Sequence, residues 1–176
     1  MNLFFRLLWQ FLAAPRRSRV PILGPCRTPF RVLPTDLDVL RHVNNGVYLS
    51  MMDVGRLDLM SRAGIADLVR ERGWYPVVVA ESIQFRRSLT LFQRFEIETR
   101  VLGWDDKAFV LEQRFLRGEE EIAIALVRAR FLARGGGTVS PDEIVRLVGV
   151  SVEQPTLSPD VARWNADHAT WRGTAA

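Results

Sequence analysis

Cysteine and histidine are scarce in this chain of 176 residues, which contains one cysteine, Cys26, and two histidines, His42 and His168. One thiol cannot form an internal disulfide, and these three side chains do not supply the four ligands of a structural zinc site. The composition is otherwise that of an ordinary globular domain, with 48% hydrophobic and 25% charged residues. We therefore expect a single apolar core that needs no metal and no other cofactor.

Lysine is also nearly absent, because Lys107 is the only one among 24 basic residues, which are set against 20 acidic residues. The net charge of +4 and the isoelectric point near 10.1 are compatible with nucleic acid, a membrane surface or a phosphorylated ligand as partner. The arginines alternate with acidic residues along the predicted strands and form no basic run with interleaved aromatics. We therefore expect no binding of nucleic acid.

The chain lacks the run of about 20 apolar residues that spans a bilayer. Its most apolar segment, residues 1–14, is interrupted by Arg6 and Gln10 and is followed by three arginines. A signal peptide is not expected, since the basic cluster follows the apolar stretch. Residues 1–19 predict either an interfacial helix on a membrane surface or a helix packed on the domain or on a dimer partner. The expected location is cytoplasmic, and the first alternative adds a peripheral position on the inner face of a membrane.

Proline and glycine divide the chain into three parts. Residues 1–26 are the N-terminal segment and a linker, residues 27–150 form one domain, and residues 151–176 are a C-terminal tail. The tail is rich in turn residues, and we expect at most a short helix after Ser158.

One long helix is predicted over residues 44–64, which contain no proline and end on Gly64 as the expected C-cap residue. Apolar residues cover most of its circumference, so it is expected to be largely buried. Its charges are spaced to pair as Asp53 with Arg56 and Asp58 with Arg62.

Strands are predicted over residues 27–33, 74–88, 94–102, 107–117 and 121–134, where apolar and polar residues alternate. Short connections between the last three predict an antiparallel meander. Ser140, Pro141 and Glu143 have the spacing of a capping box that opens a helix ending near Val148. The pattern predicts an α+β protein in which a curved antiparallel sheet wraps around one long buried helix.

Polar side chains concentrate at the mouth of this helix, namely Asp36, Asp38, His42, Asn44 and Asn45. The free backbone N–H groups and the dipole at a helix N-terminus can hold a developing oxyanion, and a nearby carboxylate can attack a carbonyl or activate water. The alternative is that these residues only form turns and cap the helix.

The string DVLRHVNNGVYL at residues 38–49, followed by Gly55, Arg56 and FRRSL at residues 85–89, resembles the hot-dog-fold acyl-thioesterases. This superfamily includes 4-hydroxybenzoyl-CoA thioesterases, bacterial long-chain acyl-CoA thioesterases and plant acyl-carrier-protein thioesterases. The resemblance covers about residues 27–134, and it is closest to a poorly characterised, membrane-associated branch. It implies a hot-dog fold and hydrolysis of an acyl-CoA or acyl-carrier-protein thioester.

The resemblance also implies roles for residues of the helix mouth. Asp38 is the expected nucleophile or general base, and the backbone N–H near Asn45 is the expected oxyanion donor. His42 is either catalytic or a structural histidine of the loop. Asn44 is expected to fix the loop, and Tyr48 either packs against the acyl chain or fills the core.

Further residues are candidates for binding the substrate. Arg86 and Arg87 either meet the phosphates of coenzyme A or are ordinary surface arginines. Because neighbouring strand residues point to opposite faces, at most one of them is expected to bind phosphate. Phe85, Met51, Met52, Val54 and Phe95 are candidates for lining an acyl tunnel, but apolar residues on a buried helix more often belong to the core, and this is the favoured interpretation. Glu81 is a substitute base if it faces the site, but an exposed or edge glutamate is the favoured interpretation.

The chain departs from the plant enzymes at Leu40, where they have Asn, and at Ser88, where they have Glu. These departures favour an alternative function, a membrane-associated protein that binds acyl thioesters without hydrolysing them. Either function implies a homodimer, or a tetramer of such dimers, because hot-dog sheets pair edge to edge.

Overall fold

The computed structural model of the chain describes residues 17–149 and 153–170. Residues 1–16, which carry most of the predicted membrane-contact segment, lie outside the described residues. Among the described helices, none has the length and apolar character needed to cross a bilayer.

The centre of the fold is one antiparallel sheet. Its strands are β1 (Cys26–Arg31), β2 (Trp74–Phe85), β3 (Arg94–Trp104), β4 (Phe109–Arg117), β5 (Glu120–Ala133) and the short β6 (Thr138–Val139). Their order is β1-β3-β4-β5-β2, with β6 on β5, so β3, β4 and β5 form the predicted meander. The strand predicted over residues 74–88 is three residues shorter at its C-terminal end, because β2 ends at Phe85 and the chain then leaves the sheet.

The sheet curves around helix α1 (Asn45–Arg62), which is largely buried as predicted. Gly55 allows this close packing, since a Cβ there would stand 3.1 Å from the side chains of both Thr99 and Gln113. The helix ends where Gly64 adopts the left-handed conformation with φ of 76°. Both predicted ion pairs within the helix are present, Asp53–Arg56 at 2.5 Å and Asp58–Arg62 at 3.5 Å. The α+β architecture with one long central helix is thus confirmed.

Three shorter helices complete the described fold. Helix α2 (Ile65–Glu71) was not predicted, because its seven residues, about two turns, lie between two glycines and show little periodicity. Helix α3 (Pro141–Leu147) begins as expected after Ser140, but the Ser140 side chain makes no capping hydrogen bond, so the predicted capping box is wrong. Helix α4 (Pro159–Thr170) is the tail helix, and at twelve residues it is longer than expected.

Candidate active site

The segment between β1 and α1 folds back on itself and presents the polar cluster of the sequence. Leu37 pairs with Val43 as an isolated bridge, the Asp38 N–H donates to the His42 carbonyl at 2.8 Å, and the Asn44 N–H donates to the Asp36 carbonyl at 2.9 Å. The result is a small hairpin, hereafter the site loop (residues 36–44), that ends where the helix begins.

Asp38 uses one carboxylate oxygen to hold the tip of the site loop. Its Oδ1 accepts hydrogen bonds from the N–H of Leu40 at 2.8 Å and of His42 at 3.2 Å. No described residue donates to Oδ2, and the side chain is half-buried. One oxygen therefore fixes the carboxylate in place while the other stays available for chemistry.

Asp36 has a different role, although it lies only two residues earlier. It is 4% exposed, and its Oδ2 accepts the Leu33 N–H at 2.7 Å. The interpretation that Asp36 serves the turn is confirmed.

The first turn of α1 is organised by the N-cap residue Asn44, whose side chain accepts the Gly46 N–H at 2.9 Å. The N–H of Asn45 stands at the first helical position and has no acceptor within the helix. No other described residue accepts from it, and both asparagines are exposed. This N–H is the donor that the helix mouth offers to a ligand.

His42 contributes to the loop through its backbone, which bonds Asp38 and pairs with Thr90. Its ring is exposed and makes no hydrogen bond with the described part of the chain. The structure therefore does not place the imidazole against the Asp38 carboxylate.

Tyr48 and Phe85 lie one turn below the helix mouth, where their rings meet edge to face at 5.0 Å. Tyr48 is 2% exposed and also packs on Phe115, which makes it a core residue, whereas Phe85 is 43% exposed. Burial raises the pKa of the Tyr48 phenol, and a hydrogen bond with the Leu89 backbone, which lowers the pKa, only partly offsets this rise. The Leu89 carbonyl also accepts the Val43 N–H at 2.9 Å, so this residue joins the site loop to the helix.

Arg86 and Arg87 follow the end of β2, and both of their N–H groups donate to the Ile122 carbonyl. The expectation that they are neighbouring strand residues on opposite faces is therefore wrong, because β2 ends at Phe85. Both side chains are exposed and pair with neighbouring acids, Arg86 with Glu121 at 3.0 Å and Arg87 with Glu120 at 3.5 Å. They lie in the chain directly after Phe85, which contacts Tyr48.

A buried polar network, which the sequence did not reveal, lies between α1 and the sheet. Arg56 donates to Gln113 at 2.6 Å and pairs with Asp53 and with Glu81, the latter at 2.9 Å. Glu81 is therefore half-buried and faces the helix, so it is not an exposed glutamate, whereas its strand β2 does lie at an edge of the sheet, as the favoured interpretation allowed. A bulge between Val78 and Ala80 shifts the register of β2 just before it.

Next to this network is a partly open cavity of about 360 Å³, lined by residues of α1, α2, α3 and the sheet and by Ile22 and Leu23. Its wall is apolar except for Asp53 and Arg56. Of the candidates for lining an acyl tunnel, Met51, Met52, Val54 and Phe95 are buried core residues, which was the favoured interpretation, and Phe85 does not line this cavity. The cavity is instead lined by other residues of the same helix, among them Leu57 and Met60.

The family model of the thioesterase-like superfamily matches residues 32–165, which include the site loop, helix α1 and every described strand of the sheet except β1. The chain belongs to this superfamily. A curated relative, Protein THEM6 of Xenopus laevis, is 39% identical over 134 residues, which is 76% of this chain and 63% of the relative. The chain thus spans less than two thirds of that protein's length.

Solved structures show the same fold. A gentisyl-coenzyme A thioesterase is 21% identical, with a TM-score of 0.63 over 69% of this chain and 99% of that one. The DHNA-CoA thioesterase of Staphylococcus aureus is 18% identical, with a TM-score of 0.61 over 73% of this chain and 97% of that one. The hot-dog fold and the resemblance to thioesterases are confirmed.

Proposed function

We propose that the protein hydrolyses an acyl thioester of coenzyme A or of an acyl-carrier protein, with Asp38 as the reacting carboxylate. The observation that carries this proposal is the site loop, which fixes Asp38 through Oδ1 and leaves Oδ2 without a described partner beside the mouth of α1. Membership of the thioesterase-like superfamily supports it.

In the proposed reaction the thioester carbonyl oxygen accepts the N–H of Asn45, where the helix dipole stabilises the negative charge that develops. Oδ2 of Asp38 either attacks the carbonyl carbon or takes a proton from the attacking water. In both routes the C–S bond breaks, the thiolate leaves with a proton, and water supplies the hydroxyl of the free acid. Coenzyme A takes part only as a portion of the substrate.

Arg86 and Arg87 are the proposed contacts for the phosphates of coenzyme A. Their guanidinium groups are exposed, and their present partners are surface carboxylates. Exposed ion pairs contribute little to stability, so exchanging a carboxylate for a phosphate costs little. Asn44 serves the site by holding the first helical turn in place.

The functional unit we propose is a homodimer joined through β2. This strand is an end strand of the sheet, and it exposes Tyr75, Val78, Val79 and Phe85. A long apolar edge of this kind invites pairing with another strand. A second copy paired with β2 would also cover Phe85 and the neighbouring mouth of α1.

The proposal is tested by measuring thiol release from acyl-CoAs with the wild type and Asp38→Asn. The asparagine Oδ1 can still accept the N–H groups of Leu40 and His42, so the loop should keep its shape while the reacting oxygen is lost. We expect kcat to fall at least about a hundredfold, in the range typical of acid–base catalysis. The exposed Asp106→Asn is the matched control and should retain full activity.

Equal turnover by wild type and Asp38→Asn would exclude Asp38 as the reacting group. Tight binding of acyl-CoA by the wild type, without turnover of any CoA or carrier-protein thioester, would instead establish the alternative of a binding protein.

A further inference from the structure

We infer that the cavity beside α1 receives the acyl group of the substrate and that this group is a straight aliphatic chain. The inference rests on the proposed function for the place of the thioester, and it adds the class of acyl group. The 360 Å³ of the cavity is within the range of small-molecule sites and well above ordinary packing defects.

One face of α1 leads from the helix mouth to the cavity. Asn45, Leu49, Asp53, Leu57 and Met60 follow one another at spacings of four and three residues, so they form a single stripe. Asn45 stands at the mouth, and the last three line the cavity. At 1.5 Å per residue, the cavity begins about 12 Å from the mouth and extends along about 10 Å of the helix.

Strand β2 runs beside this stripe in the opposite direction. Phe85 contacts Tyr48 near the mouth, Glu81 pairs with Arg56 midway, and Val77 and Val78 line the cavity. The proposed path of the acyl chain therefore runs along the stripe and the strand and passes the Glu81–Arg56 pair. A chain that starts at the thioester must be extended and at least about 12 Å long to reach the cavity.

The chemistry of the wall selects an aliphatic group. Asp53 and Arg56 are the polar residues of the lining, and they pair with each other at 2.5 Å. Arg56 is further bonded to Gln113 and paired with Glu81, so its charge is compensated. A hydroxylated aromatic acyl group, of the kind named for the gentisyl-coenzyme A thioesterase, would bury hydroxyls without partners on this wall.

The test narrows the cavity with two separate substitutions, one on β5 and one on β3. Ala129, on β5, lines the cavity and is 8% exposed, so Ala129→Leu fills part of it. Val101→Phe narrows it from β3, and Ala162→Leu on the exposed side of α4 is the control. Hydrolysis of butyryl-, octanoyl-, lauroyl- and benzoyl-CoA is compared for the four proteins, after thermal melting has shown that each one is folded.

For the wild type we expect kcat/KM to rise at least about tenfold from butyryl- to lauroyl-CoA, since each buried methylene contributes up to about fourfold. Ala129→Leu and Val101→Phe should lose about tenfold on lauroyl-CoA and stay within about twofold on butyryl-CoA, which is too short to reach the cavity. Ala162→Leu should match the wild type. Hydrolysis that is indifferent to chain length, or that favours benzoyl-CoA, would overturn the inference and leave the proposed function standing.

A second measurement separates the two proposals, namely calorimetric titration of the same proteins with laurate. If no thioester is hydrolysed but laurate binds the wild type at least about tenfold more tightly than Ala129→Leu, the proposed hydrolysis fails and the aliphatic site stands. Equal binding by both, or none by either, would overturn the inference.

Discussion

Glu81 is the residue at which burial and charge oppose each other most directly. Its side chain is 18% exposed and lies 2.9 Å from Arg56, yet Oε1 accepts no hydrogen bond of good geometry from the described chain. Burial raises the pKa of this carboxyl above 4.5, and the charge of Arg56 opposes the rise without cancelling it. The charged form of Glu81 is therefore less favourable in the folded protein than in the unfolded chain.

The Glu81→Gln variant is expected to reveal this cost. Because the folded pKa is raised, the stability that Glu81 contributes is fully present below pH 4.5 and is lost as pH rises through the folded value. The unfolding free energy of the wild type, relative to Glu81→Gln, should thus fall from about pH 4 to a plateau near pH 7. Urea denaturation at a series of pH values measures it, with the exposed Glu119→Gln as control. If the unfolding free energy of the wild type relative to Glu81→Gln instead rose with pH, the attraction of Glu81 to Arg56 would dominate over burial.

The sequence predicts the residues of the site loop but not the strand residues that contact Arg56, and the difference has a physical reason. Asp38 and Asn44 act through hydrogen bonds to neighbours within four residues, so their spacing alone predicts the loop and the cap. Gln113 and Glu81 meet Arg56 only because the strands align in one register. The bulge in β2 changes which side chains face the helix, and no local pattern encodes it.

At the scale of elements, helix α4 is attached to the outer face of the sheet by a buried polar cluster. Arg128 is 1% exposed and donates to Asn165 at 2.8 Å and to Asp105 at 2.6 Å. Asn165 also donates to Asp105 at 3.0 Å, and Asp105 caps the β3–β4 turn through the N–H groups of Lys107 and Ala108. One carboxylate therefore links the tail helix, a central strand and a turn.

The Asp105→Asn variant is expected to loosen this attachment in a pH-dependent way. Burial alone would raise the pKa of Asp105, but the hydrogen bonds from Asn165, Lys107 and Arg128 outweigh it and lower the pKa from 3.8 to about 2. Its stabilisation is therefore present above pH 3.8 and is lost as pH falls through about 2. Allowing for partial solvent screening, we expect a loss of about 1–2 kcal/mol at pH 7.

Chemical unfolding followed by tryptophan fluorescence measures the effect of Asp105→Asn, and the exposed neighbour in Asp106→Asn is the control. The two variants should converge as the pH approaches 2. A loss of stability for Asp105→Asn that is unchanged at pH 2 would contradict the role of the charged carboxylate.

At the scale of the whole molecule, the meander of β3, β4 and β5 follows from short connections, and the sequence predicts it. The positions of β1 and β2 at opposite ends of the sheet do not follow from local patterns, because β1 joins β3 and β2 joins β5 across long stretches of chain. The attachment of α4 likewise depends on Arg128, a charged residue that pattern alone places at the surface.

The position of β2 carries the last prediction, which concerns assembly. Val79 is 44% exposed beside the bulge of this end strand, so Val79→Lys places a charge in the middle of the proposed interface. A two-fold axis would bring in two such lysines, and each would lose hydration without gaining a partner. We expect the dissociation constant of the dimer to rise by about a hundredfold or more. Sedimentation equilibrium measures it, with Ala162→Lys on α4 as control, and a wild type that is monomeric, or a Val79→Lys dimer as tight as the wild type, would exclude pairing through β2.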